Sequence, residues 1–93
     1  MTDTLQALFA TIEARKQSLP EGSYTATLFR EGENEILKKI GEEAVEIIIA
    51  AKGEGDARVL YEMSDLIYHC MVLLAARGLS WQEVEMELAS RFK

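Results

Sequence analysis

Carboxylates on two stretches of this sequence have the spacing that chemistry needs. If the residues around them are helical, Glu42, Glu43 and Glu46 fall within a sector of about 100°, and Glu35 and Lys39 complete one acidic stripe. Opposite stand Ile36, Leu37, Ile40, Ala44, Ile47, Ile48 and Ala51, an ordinary core-facing set. Alone, this is an amphipathic helix, and an acidic face is usually just solvated. Val45, Ile49 and Ala50, however, flank the stripe and leave it incompletely open to water.

The second stretch weighs the other way. Leu66, Ile67, Tyr68, Cys70, Met71, Val72, Leu73 and Leu74 surround the whole circumference of a helix, the mark of burial. Its few polar groups, Glu62, Asp65 and His69, gather in a sector of about 60°, spaced three and four apart. Burying unpaired carboxylates costs on the order of several kcal/mol each. No Lys or Arg stands between Arg58 and Arg77 to neutralise them from the same helix, so the positive charge must come from elsewhere. If the two stripes face each other across a hairpin, Glu43, Glu46, Glu62 and Asp65 form an all-oxygen cage, which hard cations such as Mg²⁺ prefer. Magnesium keeps several waters and shares its coordination with phosphates, so the same cage reads as a site for a di- or triphosphate.

The elements that must position these groups follow from local signals. Leu5, Leu8, Phe9 and Ile12 have helical spacing, and Pro20-Glu21-Gly22 breaks the chain after them, giving a helix from Asp3 to Gln17. A short segment, Ala26 to Arg30, has room for one or two turns before Gly32. A long helix is expected over Glu33 to Lys52, then a turn at Gly53-Glu54-Gly55. Asp56 is the expected N-cap of a second long helix ending at Gly78, and the two long helices make an antiparallel hairpin. Ser80 and Glu83 form a capping-box pattern, with Leu79 and Val84 at staple positions, opening a last helix over Trp81 to Phe92.

Composition agrees. With 48% hydrophobic residues, one proline and six glycines in 93 residues, the expected class is all-α. The expected architecture is one domain over residues 1–93, a compact bundle of four or five helices around the central hairpin, with dimerisation completing its burial. The charge of −6 disfavours nucleic acid. The single cysteine, Cys70, permits neither a disulfide within the chain nor a cysteine-based zinc site. Met1 to Ala10 carries no basic leader or long apolar run, and Leu66 to Ala76 is too short to span a bilayer. The cytoplasm is therefore the expected compartment, with no membrane partner.

The pattern Glu42-Glu43-x-x-Glu46, a spacer, then Glu62-x-x-Asp65 resembles the signature of the all-α nucleoside-triphosphate pyrophosphohydrolases, the MazG-like superfamily. Within it, the chain is similar over essentially its whole length to the phosphoribosyl-ATP pyrophosphatase family. The likeness is carried by Pro20-Glu21-Gly22-Ser23-Tyr24-Thr25, Lys39-Ile40-Gly41-Glu42-Glu43-Ala44-x-Glu46, Asp65-Leu66-Ile67-Tyr68-His69 and Arg77-Gly78-Leu79-Ser80. The resemblance implies the second step of histidine biosynthesis: metal-assisted attack of water at the α-β phosphate bond of phosphoribosyl-ATP, giving phosphoribosyl-AMP and pyrophosphate. It implies Mg²⁺, with Mn²⁺ as the alternative, on Glu43, Glu46, Glu62 and Asp65. Glu42 is an additional ligand or orients the water, so Glu42, Glu43 and Glu46 are the catalytic candidates. Lys39, Arg30 and Lys38 are candidates for phosphate contact, and the Ser23-Tyr24-Thr25 turn for closing over the nucleotide or ribose phosphate. A homodimer is implied. So is a functional link to phosphoribosyl-AMP cyclohydrolase, to which many relatives are fused, whereas this chain resembles the pyrophosphatase part alone.

Several other residues have plain roles. His69, with no second histidine or cysteine nearby, is expected to hydrogen-bond Asp65 rather than to bind metal. Tyr68 reads as core or interface, Met63, Met71 and Met86 as packing, Cys70 as an inert buried thiol, and Trp81 as a ring laid on a neighbouring helix or subunit. Three rival functions have different signatures. A housecleaning pyrophosphatase for ordinary or modified nucleoside triphosphates would use the same cage. A di-iron bundle wants Glu-x-x-His on two helices, which this chain lacks. A non-enzymatic dimerisation module leaves Glu62 and Asp65 unexplained within an apolar helix.

Overall fold

In the computed structural model, which describes residues 3–92, the local signals resolve into five helices. Met1 and Thr2 of the stretch expected to carry no leader, and the last residue of the expected 1–93 domain, lie outside the described residues. Helix α1 spans Thr4–Ser18. Asp3 is its cap rather than its first residue, the carboxylate accepting from the Leu5 and Gln6 amides. The helix stops at Leu19, a non-glycine residue in the left-handed region at φ 45°, whose carbonyl accepts from the Arg30 guanidinium. Helix α2, Tyr24–Glu31, begins earlier than the apolar pattern suggested, because the Ser23 hydroxyl accepts from the Ala26 amide and caps it.

Helices α3, Glu33–Gly53, and α4, Asp56–Ala76, are each 21 residues long and pack against each other as the central hairpin. Asp56 is not the N-cap of α4. Gly55, at φ 94°, holds that place with no side-chain cap, and Asp56 falls in the first turn, where its charge still suits the helix dipole. At the other end, Gly78 at φ 71° closes the helix: its amide donates to the Ala75 carbonyl at 3.1 Å and the Leu79 amide to Leu74 at 2.8 Å. Helix α5, Trp81–Ala89, opens with the expected capping box at Ser80 and Glu83. It ends at Ala89, short of Phe92, with Ser90 as the C-cap.

Phe9 and Ile12 of α1, Leu28 of α2, Ile36 of α3, and Met71, Val72 and Ala75 of α4 form the core. Burying a side chain the size of Ile36 contributes roughly 1.5–3 kcal/mol. The inner row of α3 differs from the expected one. Ile36, Ile40 and Ile47 turn inward as expected, but Leu37, Ala44, Ile48 and Ala51 are exposed, while Ala50 is fully buried. The helix carries apolar residues around more than half of its circumference, and packing against α4 and α2 covers only part of that arc. The spacing Ile36, Ile40, Glu43, Ile47, Ala50 is a seam in which Glu43 is the one charged member.

The apolar run Leu66 to Ala76, read as too short for a bilayer, belongs to a helix that is long and apolar enough to cross one, at a mean hydropathy of 1.4. Here α4 is instead the central helix of the bundle. Helices α1, α2 and α3 pack on it, and Glu62 and His69 are buried along it.

Candidate metal and active site

The α3–α4 hairpin does what the two stripes required. Glu43, from the inner seam of α3, meets Glu62 and Asp65, one helical turn apart on α4, and an oxygen from each of the three lies within 4.8 Å of the others. Like charges at that separation repel by on the order of 3 kcal/mol per pair at an effective dielectric near 20. The result is visible on Glu43, whose carboxyl is pushed above its ordinary value. Burial is the largest cause, followed by the Asp65 charge, a hydrogen bond with Glu62, and the charges of Glu62 and Glu46. A set of three carboxylate oxygens that raises the proton affinity of its own member fits a hard divalent cation, because the cation replaces the proton and cancels the repulsion.

Glu46 is half-buried one turn along α3 and close enough to repel Glu43, yet the group of three closes without it. Arg58, which bounds the stretch of α4 without a basic residue, also belongs to the cage. It stands one turn before Glu62, with Nη2 2.5 Å from the Glu62 Oε2, and the i,i+4 spacing was readable in the sequence. One guanidinium against three carboxylates still leaves the group negative.

The flank of the cage is built by α2 and the first half of α3. Glu42 is exposed, its Oε1 3.6 Å from the Lys39 Nζ. The Tyr24 phenol and then Glu42 raise the Lys39 ammonium above its ordinary value. Burial raises Tyr24, an effect that Lys39 opposes, with Tyr68, Glu43 and Glu35 adding their repulsion. Tyr24 therefore feels the charge of both the basic group and the acidic ones. Its hydroxyl is 3.0 Å from the His69 Nε2, and the His69 Nδ1 is 2.8 Å from the Asp65 backbone carbonyl. A carbonyl only accepts, so Nδ1 carries the proton and Nε2 receives the Tyr24 hydroxyl. His69 thus bonds to Asp65 as expected, but through the backbone, and it also holds Tyr24, a contact that 45 residues of sequence separation concealed. Alongside, Thr25 and Tyr68 share a hydroxyl–hydroxyl bond and the Tyr24 and Tyr68 rings stack at 6.2 Å. Burial pushes the Tyr68 phenol and the Cys70 thiol up, which suits an unreactive thiol.

Of the basic candidates, only Lys39 stands at this flank. Arg30 is at the far end of α2, bonded to the Leu19 carbonyl. Lys38 is exposed, roughly 140° around α3 from Glu43 at 3.6 residues per turn. Ser23 serves as the α2 cap, with Tyr24 and Thr25 in its first turn.

Fold and site together define a class: an all-α bundle whose central hairpin gathers carboxylates from two helices at a place suited to a divalent cation. Within that class, the chain belongs to the phosphoribosyl-ATP pyrophosphohydrolase family, whose model matches residues 5–92. It is 54% identical to the phosphoribosyl-ATP pyrophosphatase of Pelotomaculum thermopropionicum, covering 96% of this chain and 91% of that protein. It is 50% identical to the phosphoribosyl-ATP pyrophosphatase of Metallosphaera sedula over the full length of both. A histidine biosynthesis bifunctional protein, HisIE, from Caldanaerobacter subterraneus subsp. tengcongensis is 45% identical over 98% of this chain, which spans 44% of that longer protein.

Proposed function

We propose that this protein hydrolyses phosphoribosyl-ATP to phosphoribosyl-AMP and pyrophosphate, the step that its relatives' names assign to them. The observation that carries the reading is the convergence of Glu43, Glu62 and Asp65 from the two hairpin helices in a chain of this family. Glu43, Glu62 and Asp65 would hold Mg²⁺ or Mn²⁺, with Glu46 within reach as a fourth ligand. Bound there, the cation supplies charge neutralisation for the triphosphate and the departing pyrophosphate.

The chain's own groups do the rest. Glu42, exposed at the edge of the cage and steadied by Lys39, orients the attacking water. Lys39 meets a phosphate oxygen, its ammonium held protonated by its neighbours. Tyr24 and Thr25, tied to His69 and Tyr68, wall the nucleotide side. The water adds to the α-phosphorus as the bond to the bridging oxygen breaks, and no covalent intermediate with the protein is needed. We assign the working unit as a soluble cytoplasmic homodimer, coupled in its pathway to a phosphoribosyl-AMP cyclohydrolase.

The test is pyrophosphate release from phosphoribosyl-ATP and from a panel of ordinary nucleoside triphosphates, each with Mg²⁺ and with excess chelator. Turnover confined to phosphoribosyl-ATP and abolished by chelator is the expected result. Preference for the ordinary triphosphates would move the assignment to housecleaning, and turnover that survives chelation would remove the metal.

A further inference from the structure

Glu62 is the most buried carboxylate of the cage, 4% exposed, and among the described residues the only one of the three paired with a basic side chain. That partner, Arg58, is half exposed and has two other contacts, one with Glu54 at the C-terminal cap of α3 and one with Tyr61 on α4. Its Nε is 4.0 Å from the Glu54 Oε1, and its guanidinium carbon lies 4.4 Å above the Tyr61 ring. The guanidinium thus has one contact inside the cage and alternative support outside it. A cation on the Glu62 carboxylate draws on the same negative charge that Arg58 holds, since Nη2 lies 2.5 Å from Oε2.

We propose that Arg58 is an exchangeable counter-ion of the cage: it holds the buried Glu62 carboxylate when no divalent cation is bound, yields it when one enters, and so sets how tightly the cation is held. This rests on the metal site proposed above. On entry of the cation, Arg58 gives up Glu62 and keeps Glu54 and the Tyr61 face, contacts it already makes, so its charge is not left unpaired. The arrangement lowers affinity for the cation and, in exchange, keeps the cage from carrying three uncompensated charges when it is bare.

The experiment measures Mn²⁺ binding to the whole chain by calorimetry and by electron paramagnetic resonance, together with the thermal midpoint in excess chelator, for wild type, R58Q and R58K. R91Q serves as the charge control, because Arg91 pairs with Glu87 on α5 and its loss changes the net charge equally. R58Q is expected to bind Mn²⁺ about three- to tenfold more tightly, the range for losing one partly exposed competing ion pair, and to melt earlier in chelator. R58K, which keeps the charge but not the planar fork, is expected between R58Q and wild type, and supplies the reading if R58Q does not fold. R91Q is expected to leave the affinity unchanged. Unchanged or weaker Mn²⁺ binding in folded R58Q or R58K overturns the proposal, as does equal tightening in R91Q. Absence of Mn²⁺ binding by the wild type is a different failure, which removes the metal site itself and the exchange with it.

Discussion

Glu43 occupies a place that its neighbours Ile36, Ile40, Ile47 and Ala50 make an apolar seam, and its raised proton affinity reflects that surrounding. A carboxyl whose folded value lies above its unfolded one favours folding when protonated. The contribution of Glu43 to stability in chelator is therefore fully present below the ordinary value of 4.5 and is lost as pH rises through the interval up to the raised folded value. Glu43→Gln is expected to remove that decline, to melt later than wild type in chelator at pH 7, and to lose turnover and metal-dependent stabilisation. Thermal melts across pH 4–8, with and without Mg²⁺, read all three, and an earlier melt in chelator would show that Glu43 is not under charge repulsion. Glu46 tests the fourth ligand. Glu46→Ala is expected to abolish pyrophosphate release while far-ultraviolet circular dichroism keeps its helical amplitude, and full activity would exclude Glu46 from the site.

At the scale of the helices, stability rests on a few termini. Gly78 closes α4 in the left-handed region with open space where a Cβ would point, so Gly78→Ala meets backbone strain alone. It is expected to cost about 1–2 kcal/mol, which for a domain of this size lowers the melting midpoint by several degrees, on the order of 4–8 °C per kcal/mol. A midpoint within a degree of wild type would mean that the terminus relaxes freely. These termini were legible because their hydrogen bonds are local: Ser80 with Glu83, and Gly78 after the apolar run, each declare themselves within a few residues. The acidic stripes were legible for the same reason. The facing row of α3 was not, because Ile36, Leu37, Ile40, Ala44, Ile47 and Ile48 all satisfy an apolar pattern and only packing chooses among them. The Tyr24–His69 bond joins residues 45 apart and left no local trace. Gly55 displaced Asp56 as the cap because the short turn between α3 and α4 calls for a positive φ there.

At the scale of the molecule, what the single chain leaves uncovered is as informative as what it buries. Along the hairpin, Leu37, Val45 and Ile48 of α3 and Leu60 and Met63 of α4 are all exposed, Ile48 at 63% and Leu60 at 68%. Isolated apolar residues on a surface need no explanation, but several large ones on the two longest helices of so short a chain are costly to leave in water. The proposed homodimer covers this face, and the prediction has two linked parts. Ile48→Glu places a charge where an apolar contact between subunits is expected, so sedimentation should give half the wild-type mass. Because Ile48 contributes little to the core of its own chain, the variant should keep its helical signal at low temperature. A dimer's melting midpoint also rises with protein concentration by mass action, so the wild type should show that dependence and the variant should lose it. Arg91→Glu, an exposed change just beyond the end of α5, should alter neither. A wild type that sediments as a monomer would remove the homodimer, whereas an Ile48→Glu variant that remains a dimer with a concentration-dependent melt would place the subunit contact elsewhere; either leaves the exposed hairpin face without its proposed cover.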